Sequence, residues 1–201
     1  MHDRGFDRWV YTRELAQLAA VSTSTASIEC RKLAKKDMLL SKSEGREKSY
    51  KIKLANDQAR KLYELFETEK REKFYKKHRR LAWALQDLAK RVFELLPQIQ
   101  TVLLFGSAAR GALTKTSDVD LLVIVPTIEQ DAFNTLMKSV DSLAADIRGM
   151  YGFPFSILTM TMKDFEAAIL EKKRIVQDVL RDGIVLFGEG RYYQMLAKVL
   201  S

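Results

Sequence analysis

Apolar positions along the chain change their spacing several times, and each change marks an element. From Leu15 to Ala34 they recur at three- and four-residue intervals, with Leu15, Leu18 and Ala19 on one face and Ala26, Cys30, Leu33 and Ala34 on another. This predicts a short helix from Arg13 to Ala19, capped by Thr12, and a second from Thr23 to about Lys36, with the turn at Val21 and Ser22. The period then falls to two: Tyr50, Ile52 and Leu54 alternate with Lys51 and Lys53. Met38 to Ser43 and Lys48 to Leu54 therefore read as two strands of a hairpin, with Gly45 supplying the backbone freedom of its tip.

Helical spacing returns over residues 56–96. Asn56 or Asp57 caps a helix whose apolar positions are Ala59, Leu62, Leu65 and Phe66, and Leu81, Leu85, Leu88, Val92 and Leu95 form the stripe of a second. Between them, Glu69 to Arg80 is a basic connector that carries Phe74 and Tyr75; it reads as a solvated helix face, with phosphate tracking as the alternative. Trp83 and Phe93 read as packing residues. The leucine stripe is expected to cover a C-terminal sheet; burial against a second copy of the chain, as in a homodimer, is the other way to bury it.

All three prolines, Pro97, Pro126 and Pro154, and seven of the nine glycines follow residue 96, so the second half should alternate strands, loops and helices. Thr101 to Phe105 and Leu121 to Val125 are short apolar runs and read as strands. The fold class is α+β with a small mixed sheet.

The 201 residues are 47% hydrophobic and 30% charged, a globular composition that disfavours disorder. The net charge of +8 is unevenly placed: residues 1–55 carry +5, residues 56–100 carry +4 and the remainder −1. Such asymmetry points to a polyanion partner for the first half. The longest apolar run, Leu121 to Val125, is far below a membrane span, and the charges Asp3, Arg4, Asp7 and Arg8 are unlike a signal peptide. One cysteine, Cys30, cannot form an internal disulfide, and His2 and His78 are too few for a histidine-rich metal site. A cytoplasmic protein is the expectation.

The sharpest chemical signal lies between two of the predicted strands. Gly106-Ser107 follows Thr101–Phe105 at once, Gly111 closes one helical turn, and Ser117-Asp118-Val119-Asp120 leads into Leu121–Val125. Strand period two puts Asp118 and Asp120 on one face. Two carboxylates without a cationic neighbour in sequence are costly unless a cation binds them, and hard oxygen ligands suit Mg²⁺. Backbone N–H groups and a hydroxyl at a Gly-Ser turn can receive a phosphate. A phosphate cradle facing a carboxylate pair points to nucleotidyl transfer.

These residues resemble the nucleotidyltransferase superfamily of polymerase-beta type, particularly its minimal members: Gly-Ser, ten intervening residues, then Asp-x-Asp ahead of an apolar strand, with the Gly-Ser-x-Ala-Arg-Gly form at Gly106 to Gly111. The resemblance covers roughly residues 80–190, and implies a helix from Ile128 to Arg148 and a closing strand from Ile184 to Phe187. It implies transfer of a nucleoside monophosphate from an NTP with two Mg²⁺ ions, Asp118 and Asp120 as catalytic metal ligands, and Gly106, Ser107, Arg110 and Ser117 around the nucleotide. It also implies a third carboxylate on the next strand, matched here by Phe153 to Met160, where this chain has Ser156. A hydroxyl cannot serve as an anionic base at neutral pH, and loss of general-base help costs roughly 10²–10⁴-fold. Asp164, the nearest later acid, is expected to cap or begin a helix.

The order helix, turn, helix, basic hairpin resembles a winged helix-turn-helix, in the style of small bacterial and archaeal regulators. That likeness implies DNA contact by Ser22, Ser24, Thr25, Ser27, Arg31 and Lys32 of the second helix and by Arg46 and Lys48 of the wing. Ile28 and Glu29 depart from it, since the family usually places polar or basic residues there. The expected organisation is a winged helix over residues 1–55, a helical connector over 56–78 and a nucleotidyltransferase-like domain over 79–201. Three roles are compatible with it: an enzyme that modifies a protein, small molecule or RNA, a DNA-bound regulator whose second domain binds a nucleotide or a partner, and an antitoxin that acts on a partner toxin.

Overall fold

The computed structural model describes residues 8–45, 47–114 and 117–200. Arg46, expected at the wing tip, lies outside them. In chain order the elements are β1 (Val10–Tyr11), α1 (Thr12–Leu18), α2 (Thr23–Lys35), β2 (Leu39–Glu44), β3 (Glu47–Ile52), α3 (Asp57–Lys77), α4 (Arg79–Leu95), β4 (Thr101–Leu104), α5 (Gly106–Ala109), β5 (Val119–Val125), α6 (Gln130–Tyr151), β6 (Phe155–Thr161), α7 (Met162–Leu170), α8 (Arg174–Asp182), β7 (Ile184–Phe187) and α9 (Glu189–Val199). This is an α+β chain. It divides into two compact units, Met1–Leu65 with Tyr193–Ser201, and Phe66–Tyr192.

In the first unit, β1, β3 and β2 form an antiparallel sheet in that order. Tyr50 is buried on it, as are Ala26 and Cys30 of α2. Ser22 rather than a residue inside the helix caps α2, accepting a hydrogen bond from the Thr25 N–H. Thr12 does not cap α1: it opens the helix, and its hydroxyl donates to the Lys48 carbonyl at 3.0 Å, tying α1 to β3.

The expected apolar face of α3 is corrected. Leu62, Leu65 and Phe66 are exposed, and the buried positions are Ala59, Tyr63, Glu67, Phe74 and Tyr75. Tyr63 packs edge-on against Tyr193. Further along, the buried Glu67 carboxylate accepts the Val185 N–H at 2.9 Å, Lys70 donates to the Gly183 carbonyl at 2.6 Å, and Arg71 donates to the Val185 carbonyl at 2.9 Å. The edge of β7 is thereby satisfied by side chains in place of a neighbouring strand, which matters because an unpaired edge leaves backbone groups open. The connector over residues 69–80 is mostly the continuation of α3.

The sheet of the second unit has the order β6-β5-β4-β7; β5 and β6 are parallel and the other pairs antiparallel. The parallel pair requires a crossover, supplied by α6. One face carries Val102, Leu104, Val119, Leu121, Val123 and Ile184 into a core with Leu81, Leu85, Leu88 and Val92 of α4 and Leu136, Val140 and Ile147 of α6. The leucine stripe thus covers the sheet as expected, except for Leu95, which is exposed. Trp83 is not a packing residue: it is 61% exposed, on the side of α4 opposite the buried stripe. Phe93 is 67% exposed but packs as expected, with its ring edge-on to Phe187 of β7 at 6.0 Å between centroids. On the other face of the sheet, α7 packs on β5 and β6. No helix among the described residues is long and apolar enough to cross a membrane.

Candidate active site

The chemistry-bearing residues gather where β4 ends and β5 begins. The Phe105 N–H donates to the Asp120 carbonyl at 3.0 Å, extending the β4–β5 pairing to the Gly-Ser turn. Gly106 has φ +68°, and a Cβ built there would collide with the Asp120 carboxylate. The glycine is therefore required twice, by its left-handed backbone and by the close approach of an acid. Four residues then make the single turn α5, Arg110 caps it, and Gly111 at φ +71° ends it.

Asp118 is exposed and Asp120, inside β5, is half-buried. Neither side chain accepts a hydrogen bond or forms an ion pair within 4.0 Å among the described residues. Burial raises the Asp120 carboxyl above its ordinary range, the nearby Asp118 charge raises it further, and Arg110 opposes both. A bound cation would relieve that cost, so the pair fits Mg²⁺ in chemistry and charge. Among the described residues no group of three or more His, Cys, Asp or Glu comes together to hold a metal.

Ser156 stands in register with Asp120 across the parallel β5–β6 pair and is exposed. Parallel neighbours in register project to the same face, so the chain presents a hydroxyl beside Asp120. Asp164 is occupied elsewhere: Thr161 caps α7 by accepting the Asp164 N–H, and its hydroxyl donates to the Asp164 carboxylate at 2.6 Å. Arg110 reaches Asp182 at 3.5 Å. Ser117 is bound into its own loop, where its hydroxyl accepts the Thr114 N–H at 3.2 Å.

Two further groups reach this end of the sheet. A Cβ at Gly111 would lie 3.5 Å from His78 Nε2 and 3.6 Å from Lys77 Nζ. His78 packs on Phe74, and burial first and Lys77 second lower its pKa from 6.5. Neither residue carries a motif, and only the return of the α3–α4 junction to the turn reveals them.

In the first unit, Thr23, Ser27 and Arg31 of α2 line a groove of about 440 Å³ with Arg13 and Lys48. Arg31 also donates to the Ser27 carbonyl. Lys32 is instead paired with Glu29 at 2.7 Å. Ser22 and Ser24 hydroxyls lie 2.8 Å apart, as do those of Ser22 and Thr25, at the start of α2.

The family model of the nucleotidyltransferase domain matches residues 85–185, half of the chain, spanning the Gly-Ser turn and the acidic pair. The chain belongs to the nucleotidyltransferase domain family. Among solved structures, a toxin–antitoxin with AMP-PNP is 19% identical, with 58% of this chain and 82% of that chain covered at a TM-score of 0.40. A toxin–antitoxin MntA-HpeT mutant is 16% identical over 55% of this chain and 78% of its own, with a TM-score of 0.37. No curated protein matches.

Proposed function

We propose that this nucleotidyltransferase moves a nucleoside monophosphate from an NTP to a hydroxyl acceptor, with Asp118 and Asp120 holding Mg²⁺. The observation that supports it best is the abutment of Gly106 on the Asp120 carboxylate, which sets the turn and the acidic pair against one another. Bound Mg²⁺ supplies charge neutralisation for the triphosphate and orients it. The backbone of Gly106 and Ser107 faces the phosphates, and Arg110, released from Asp182, adds a cation. The acceptor oxygen forms a bond to the α-phosphorus as the bond to the pyrophosphate oxygen breaks. Pyrophosphate leaves with that electron pair, and the hydroxyl proton passes to solvent, since Ser156 offers no anionic base. Turnover is therefore slow. The test is incubation with α-labelled NTPs and Mg²⁺ plus RNA, small-molecule or protein acceptors. Label transfer that Asp120→Asn abolishes supports the reading, and label in a partner protein identifies the antitoxin form of it. Label transfer that survives in Asp118→Asn, Asp120→Asn contradicts it.

A second reading concerns the first unit. The groove lined by Arg13, Arg31, Lys48 and the hydroxyls of Thr23 and Ser27 favours duplex DNA binding by a winged helix over residues 1–55. Affinity of the full chain for duplex DNA should fall steeply with salt as counterions are released. Arg31→Ala and Lys48→Ala should each weaken it, and absence of duplex binding at low salt excludes it.

A further inference from the structure

The turn from Gly106 to Gly111 has two ends of opposite chemistry. At the first, the place of a Gly106 Cβ is taken by the Asp120 carboxylate. At the second, a Cβ on Gly111 would meet His78 Nε2 at 3.5 Å and Lys77 Nζ at 3.6 Å, so the two nitrogens converge on one point. Arg110, next to Gly111, is a further cation, held 3.5 Å from Asp182. The two glycines are separated by about 7.5 Å along a helical axis at 1.5 Å per residue. Three linked phosphates starting from a metal at the acidic pair would cover that length.

Lys77 is the last residue of α3 and His78 precedes α4, so both stand at the end of the sheet where β4 stops, against the turn and not on the outer surface of α4. Lys77 is exposed and forms no ion pair among the described residues. His78 is half-buried with its ring on Phe74, and among the described residues its ring nitrogens make no hydrogen bond. Burial and the neighbouring Lys77 charge both act against a second cation at His78. An anion between the two donors reverses the sign of that interaction. Both residues precede the 85–185 stretch of the nucleotidyltransferase match, so no motif of that domain assigns them.

We propose that Lys77 and His78 hold the terminal phosphate of the NTP, so that the α3–α4 junction selects a nucleoside triphosphate over a diphosphate; this rests on the transferase reading above. Lys77 brings a flexible point charge that can follow a phosphate oxygen, and a neutral imidazole donates one N–H. Gly111 keeps the point between the two donors open, where any side chain would fill it. A diphosphate anchored at the acidic pair ends one phosphate short of them. Asp118 and Asp120 thus fix one end of the polyphosphate through the metal, and the junction reads its length at the other.

The test is calorimetric titration of the full chain in Mg²⁺ with whichever of ATP, GTP, CTP and UTP binds it tightest, and with the corresponding diphosphate. Lys77→Ala should weaken triphosphate binding roughly ten- to a hundredfold, the range of a charge-assisted hydrogen bond, and leave diphosphate binding unchanged. Lys77→Arg should keep the triphosphate affinity, because the charge is retained. His78→Ala should give a smaller loss of the same kind, and His78→Gln should recover it by keeping a donor. Equal losses for the two nucleotides in Lys77→Ala, or no loss for either, with wild-type binding still dependent on Mg²⁺, overturn the phosphate assignment and leave the transferase reading standing. Triphosphate binding that is absent from the wild-type chain, or intact in the Asp118→Asn, Asp120→Asn double variant, removes the transferase reading and this assignment with it.

Discussion

Asp120 on β5 and Ser156 on β6 are register partners, side by side on two parallel strands. A carboxylate at the second position would complete three acids on one face, and a serine leaves two. Ser156→Asp should therefore raise Mg²⁺ affinity and increase NMP transfer, by up to roughly 10²–10⁴-fold if the missing group is the general base. Initial rates with labelled NTP, compared between Ser156→Asp and Ser156→Asn, check this. Equal rates in both variants would mean that the position does not serve the chemistry.

Gly106→Ala tests the contact between the turn and the acid. Gly152 provides the control, since it has φ +75° with no atom within 4 Å of an added Cβ. Gly152→Ala should cost about 1–3 kcal/mol for its backbone conformation alone. Gly106→Ala should cost more and should also weaken nucleotide binding, because the Asp120 carboxylate must move. Denaturant midpoints and nucleotide titration of the two variants measure the difference.

His78 gives the second unit a pH dependence of known sign. Its pKa is lowered from 6.5 by burial and by Lys77. The unfolded chain therefore holds the proton more readily than the folded one. The folded state carries no penalty from this group above pH 6.5, and stability declines as pH falls through 6.5 toward the lower folded value. His78→Gln should flatten the change in thermal midpoint between neutral and mildly acidic pH. An unchanged slope would show that His78 is not the group responsible.

Leu88 and Leu95 belong to the same sequence stripe but have opposite fates, 3% and 64% exposed. Leu88→Ala should destabilise the chain by about 2–5 kcal/mol, and Leu95→Ala by less than about 0.5 kcal/mol, the ordinary range for surface positions. Chemical denaturation of both variants checks the burial directly.

Much of the second half was legible because it depends on short-range signals. The strand Thr101–Leu104 and the turn from Gly106 to Gly111 follow from an apolar run bounded by glycine. The face of α3 was not, because its buried stripe includes Glu67, a carboxylate that mates with the backbone of β7 and so defeats any reading by hydrophobicity. Trp83 misled for the reverse reason, since a large aromatic next to a leucine stripe resembles core until the face it occupies is known. Lys77 and His78 reach Gly111 only through the packing of α4 on the sheet, a relation no local pattern encodes. Ser156 as the neighbour of Asp120 required the parallel register, anticipated here only through the family resemblance.

In the proposed reaction Asp118 and Asp120 together hold the metal that brings the nucleotide in. Calorimetric titration of the full chain with NTP, in Mg²⁺ and in EDTA, tests it most directly when repeated on the Asp118→Asn, Asp120→Asn double variant. Binding in Mg²⁺ should be lost in EDTA and lost in the double variant, with the fold retained by circular dichroism. Nucleotide affinity that is the same in EDTA, or undiminished in the folded double variant, would contradict it.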